Sequence, residues 1–141
     1  MIKRILVAIV FCIFFASFFL PAYAVAESAE AAEPIAIFLS GWLGLFSGST
    51  ACVAWLANPL FFVAAILFLR NRRRATVVGL LAFLFAASFL FARSIINDEA
   101  GHYAKITGYK AGYWLWLGSI GILLCTIAIW SAIKSTKKSD R

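Results

Sequence analysis

The stretch "KRILVAIVFCIFFASFFLPAYA", residues 3–24, decides how many helices this chain has to arrange. Lys3 and Arg4 precede a long apolar run. Pro21 breaks it, and Ala22-Tyr23-Ala24 places small residues where a signal peptidase cuts. A basic start, an apolar centre and a small-residue end form the pattern of a secretory signal, so residues 1–24 read as a signal peptide. The apolar run is long for a signal, which leaves an uncleaved first helix as the alternative. A lipoprotein signal is excluded by Phe11, which stands before Cys12 where a small residue is needed.

The rest of the chain has to be compatible with that start. Of 141 residues, 64% are apolar and 13% charged, and the mean hydropathy is +0.95. A soluble domain averages about 45–50% apolar. The composition therefore predicts an all-α membrane protein with a single transmembrane domain, residues 35–141, after an acidic lead-in at 25–34 that holds Glu27, Glu30 and Glu33.

Residues 35–69 carry no charge. One straight helix of that length would measure roughly 52 Å, against about 30 Å of hydrocarbon. The break falls at "SGST", 47–50. It predicts an interfacial or re-entrant helix at about 35–46 and a span at about 50–69. "RNRRR", 70–74, turns the chain into a second span at about 75–92. An outer loop follows at 93–111, then a span at about 113–133 and a basic tail at 134–141. Cleavage leaves three spans, and an uncleaved signal makes four.

The net charge of +7 is confined to clusters at the ends of apolar segments. That is the positive-inside distribution, which orients helices in a bacterial inner membrane, and not a nucleic-acid surface. It places the C-terminus in the cytoplasm and the mature N-terminus outside.

Polar residues within the spans are few. Asn58, Ser88 and Ser119 fall at similar depths and read as intramembrane packing groups. Pro59 frees the carbonyl of Trp55, so "WLANPLFF" reads as a kinked helix whose asparagine closes an interhelical hydrogen bond. A pocket for a headgroup or a quinone-like ligand is the alternative. Gly41, Gly44 and Gly48, with Gly118 and Gly121 on the last span, read as helix–helix contacts, because small residues let backbones approach. Tyr109, Tyr113, Trp114, Trp116 and Trp130 read as interface anchors at headgroup depth. Cys52 and Cys125 lie at different depths and read as buried packing thiols.

The loop "NDEAGHY", 97–103, holds two carboxylates and the sole histidine. Glu99 and His102 have the Glu-x-x-His spacing of di-iron helices, but that chemistry needs a second such pair and two more glutamates. Asp98, Glu99 and His102 are thus incomplete metal candidates. A surface helix over 98–106, capped by Asn97 and with acids in its first turn, explains the same residues. These three then become the outer-face contact. No nucleophile motif is present, and no ionisable group lies at mid-span.

The expectation is a non-enzymatic accessory or scaffold protein, without cofactor. Its partners are the lipid bilayer and a membrane protein or a second copy of itself, and no nucleic acid. An immunity- or exclusion-type protein and a small oligomeric channel are the alternatives.

Overall fold

The computed structural model describes residues 1–26, 34–45, 50–71, 73–96 and 103–139. Helix α1 runs Ile2–Ala16 and tightens into a 3-10 turn over Ser17–Phe19. Strand β1, Tyr23–Val25, follows at once. Helix α2, Pro34–Ser40, starts on its proline, which suits a first helical position because no N–H is needed there. A 3-10 turn at Leu43–Leu45 comes next.

Helix α3, Thr50–Val53, passes through a 3-10 turn at Ala54–Leu56 into α4, Ala57–Leu69. The tightening sits just ahead of Pro59, whose missing N–H removes a bond of the α-helical ladder. Helix α5 spans Ala75–Ser88, with a 3-10 turn at Phe89–Phe91. Strands β2, Ser94–Ile96, and β3, Tyr103–Tyr109, lead to α6, Ala111–Ser139.

Helices α1, α4, α5 and α6 form a bundle. Each buries one stripe at helical spacing: Val7, Val10 and Phe14 on α1; Ala57, Phe61, Ala64 and Phe68 on α4; Leu117, Ile120, Leu123 and Ile127 on α6. On α5 the stripe is Ala75, Gly79, Ala82 and Ala86, all small and all buried. This small face lets α5 lie close to its neighbours, and Gly79 faces Ala64, Leu124 and Ile127. The structure thus treats α1 as a core helix. Phe14 is fully buried and stacks on Phe61 at 4.7 Å between centroids.

Among the described residues, Ile2–Phe19 and Ala111–Thr136 are long and apolar enough to cross a membrane, while Ala54–Leu69 and Ala75–Phe91 are shorter apolar helices. The last helix continues through the basic segment to Ser139 instead of ending near 133.

The sheet was not expected. It is antiparallel, in the order β1-β3-β2. Tyr23 pairs with Tyr109, Ala24 with Gly108 and Val25 with Ile106, so a bulge falls at Thr107, whose hydroxyl donates to Ala24 O at 3.1 Å. On the other side Ser94 pairs with Lys105 and Ile95 with Ala104. The helix expected over 98–106 is therefore overturned for 103–106, which lie in β3. The physical reason is alternation. Ala104 points into the core while Lys105 and Thr107 are exposed, a period of two that a helix cannot satisfy. A site proposed for removal, after Ala24, lies inside β1.

At the opposite end the α4–α5 turn holds a left-handed residue near its start, Asn71, with φ 55°. Asparagine tolerates that conformation better than other residues with a Cβ. Its side chain receives Lys3 Nζ at 2.5 Å and Lys134 Nζ at 3.1 Å. One amide oxygen thus ties together α1, the turn and α6.

Candidate functional site

Beneath the sheet lies a cavity of about 360 Å³, a size in the range of small-molecule sites, roughly 300–1,000 Å³. Its walls come from the end of α1, from α2, from the turn before α4 and from the start of α6. Phe18, Phe38, Trp55, Phe89, Tyr113 and Trp116 are the large aromatics among its lining residues.

The sequence builds these walls locally. The 3-10 turn ahead of Pro59 sets Trp55 so that its Nε1 donates to Phe38 O at 2.9 Å, which fastens α2 over the cavity. Two glycines make room for the walls. A Cβ on Gly41 would strike Trp55, and one on Gly44 would strike Cys52 Sγ. At the second residue of α4, buried Asn58 accepts a hydrogen bond from Trp116 Nε1 at 2.9 Å.

Most polar groups of the cavity are already committed. Tyr113 Oη donates to Ala86 O at 3.1 Å, Ser17 Oγ to Phe14 O at 2.6 Å and Ser40 Oγ to Ala36 O at 2.7 Å. Burial, with the Cys52 thiol adding a smaller effect, pushes the Tyr23 hydroxyl up to about 12. Burial also raises Tyr109. These groups stay protonated at neutral pH. The cavity therefore suits an apolar molecule held by aromatic contact more than it suits proton-transfer chemistry.

The polar residues singled out from sequence do not join one another. Asn58 is bonded to Trp116. Ser119 is buried and donates to Trp116 O, and Ser88 donates to Phe85 O within its own helix. Gly41, Gly44 and Gly121 meet this chain's own Trp55, Cys52 and Phe83, whereas a Cβ on Gly118 would meet nothing within 4 Å. Gly48 lies outside the described residues, as do Asp98, Glu99 and His102 with the acids of the lead-in. Among the described residues no three His, Cys, Asp or Glu side chains gather in an arrangement that could hold a metal.

The aromatics expected as interface anchors differ in burial and partners. Trp114 is exposed, but Tyr113 is buried, Tyr109 donates to Phe89 O at 2.9 Å, and Trp116 bonds to Asn58. Tyr23, Phe89, Tyr109 and Tyr113 form one inward cluster, with centroids 4.9–5.8 Å apart. The hydroxyls of Tyr109 and Tyr113 find carbonyls of this chain, so these rings help to roof the bundle. Trp130 holds Lys3 Nζ over its ring at 5.0 Å. Cys125 is exposed and Cys52 half-buried, so Cys125 is not a packing thiol.

Sequence reading missed the small stripe on α5, which Ala75, Gly79, Ala82 and Ala86 spell out at spacings of four, three and four. It also missed the strand alternation of "YAKITGY", 103–109. No protein-family model, curated protein or solved structure matches this chain.

Proposed function

We propose that this chain is an integral membrane protein of four spans, in which α1 is kept, and that it serves as a non-enzymatic accessory or scaffold protein for another membrane protein. The observation that carries the membrane assignment is apolar exposure on every long helix. Ile5, Ile9 and Phe15 on α1, Val63 and Ile66 on α4, Leu80 and Leu84 on α5, and Ile122 and Ile129 on α6 all face outward. Water rarely tolerates contiguous apolar surface beyond a few hundred Å², whereas hydrocarbon accepts it.

The basic end, with Lys3, Arg4, Arg70, Arg73, Arg74 and Lys134, is assigned to the cytoplasm of a bacterial cell by the positive-inside rule. Both termini then lie inside and the sheet outside. The intact mass of the purified protein tests the first span. Residues 1–141 are expected, and a mass lacking 1–24 overturns the four-span assignment.

The accessory role is supported by one face of α6. Trp114 and Ile122 are exposed on either side of Gly118, where nothing opposes an added Cβ. A second helix backbone can approach closely there. Purification in mild detergent is expected to bring down a stoichiometric membrane protein or a second copy, and Gly118→Trp is expected to release it. A lone monomer from native membranes would overturn this role.

The cavity beneath the sheet favours a second reading, a carrier or sensor of an apolar molecule. Mass spectrometry of organic extracts from purified protein tests it. A bound lipid or isoprenoid lost on Ala54→Trp is expected under that reading.

A further inference from the structure

A cleft of about 590 Å³ opens at the basic end of the bundle, between α1, the α4–α5 turn and α6. Lys3, Arg73 and Lys134 line it. Lys3 Nζ and Lys134 Nζ bond to the same oxygen, Asn71 Oδ1, and so stand within a few ångströms of each other. A neutral amide oxygen has lone pairs for both but balances neither charge. Among the described residues that line the cleft, none is acidic.

The uncharged groups there point the same way. Trp130, another lining residue, keeps its Nε1 buried and without a hydrogen-bond partner. Buried donors are paired in nine cases of ten or more. Thr76 and Ser131 add hydroxyls to the wall. Positive-inside orientation accounts for cations at this end of the molecule. It does not account for two of them on one oxygen beside an orphaned donor. Lys3 Nζ also donates to Phe68 O at 3.1 Å and lies over the Phe68 and Trp130 rings; none of these partners carries negative charge, so an anion rich in acceptors would complement the cleft.

We propose that this cleft binds a phosphate group of net negative charge, with Lys3, Lys134 and Arg73 supplying the opposite charge and Trp130 Nε1 a directed hydrogen bond. The ionised oxygens of a phosphate group are strong acceptors, which complements a wall rich in donors. The cleft sits where the basic ends of the helices leave the apolar region, so an anionic phospholipid headgroup and a free phosphate are both sources of this chemistry.

Thermal stability of the full chain in a neutral detergent at low salt tests the proposal. Three probes are titrated: short-chain phosphatidylglycerol, short-chain phosphatidylcholine and inorganic phosphate. Saturable stabilisation by phosphatidylglycerol, well above that by phosphatidylcholine, is expected. Lys134→Gln is expected to weaken it about ten-fold, as loss of one charge-assisted hydrogen bond does. Trp130→Phe keeps the ring, removes the donor and should weaken it by a smaller factor. Competition by inorganic phosphate would identify a general phosphate site, and its failure to compete a headgroup site; either supports the proposal. Equal stabilisation by both lipids, no stabilisation at all, or a phosphatidylglycerol effect unchanged in both variants would overturn it.

Discussion

Trp116 reaches across from α6 to Asn58 on α4, and their 2.9 Å hydrogen bond is a polar link between two otherwise apolar helix faces. Asn58→Ala strands the indole N–H, and Trp116→Phe strands the amide oxygen. Each single change is expected to destabilise by about 1–3 kcal/mol, the cost of leaving a buried group unmade. The double variant should cost less than the sum, by about 0.6–2 kcal/mol, the range for bonds between membrane helices. Unfolding in mixed micelles measures this, and strict additivity would show that the two side chains are not coupled.

Gly112 and Gly118 sit on one helix and should respond in opposite ways. Gly112 N–H donates to Pro21 O at 2.9 Å, and a Cβ there would strike the carbonyls of Leu20 and Pro21. Gly112→Ala must push the start of α6 away from the end of α1, at about 1–3 kcal/mol. Gly118→Ala meets no obstacle and gains helix propensity, so its monomer stability should rise by up to about 1 kcal/mol. Melting temperatures of the two variants in detergent separate these effects.

Phe14→Ala distinguishes a core helix from a discarded one. The ring is fully buried against Phe61 and also touches Phe18 and Phe38. Its removal leaves a cavity, and the expected cost is about 3 kcal/mol, near the low end for phenylalanine because lipid itself is apolar. A purified protein whose stability ignored this change would have lost α1.

Alkaline titration should single out Tyr23. Its hydroxyl ionises near 12 in the fold against an ordinary value of 10. The folded state therefore favours the neutral phenol. That stabilisation is complete below pH 10 and is lost as pH rises from 10 through 12. Phenolate absorbance of the native protein minus that of Tyr23→Phe should show a single late transition. Stability of Tyr23→Phe should also fall less steeply above pH 10. A difference spectrum centred near 10 would contradict the burial of this ring.

The helices were legible because charge-free runs have a length, and length has a physical meaning at 1.5 Å per residue. A break in helical regularity at Pro59 was expected as a kink, since proline lacks a donor wherever it stands, and the structure has a 3-10 turn ahead of it. The aromatic roof was not. Tyr109, Tyr113 and Trp116 carry the same amphipathic rings whether they meet headgroups or the carbonyls of Phe89 and Ala86 and the amide of Asn58. Only the tertiary arrangement decides. Strand β3 was partly legible. Its alternation of Lys105 and Thr107 with Ala104 and Ile106 competed with a plausible cap at Asn97, and a seven-residue strand needs partners that lie far away in sequence.

That distance has a consequence for how the protein is made. The strand after the first helix pairs with the strand before the last, Tyr23 with Tyr109, and α1 packs mainly on α6. Helix α1 leaves the ribosome before α6 and thus has to wait for it before finding its main neighbour. Until then Phe14 and the free edge of β1 stand unsatisfied. Such long-range closure is slow compared with the local α4–α5 hairpin. A newborn chain of this kind passes through an interval with the α4–α5 hairpin formed and α1 still apart from α6, its apolar stripe uncovered.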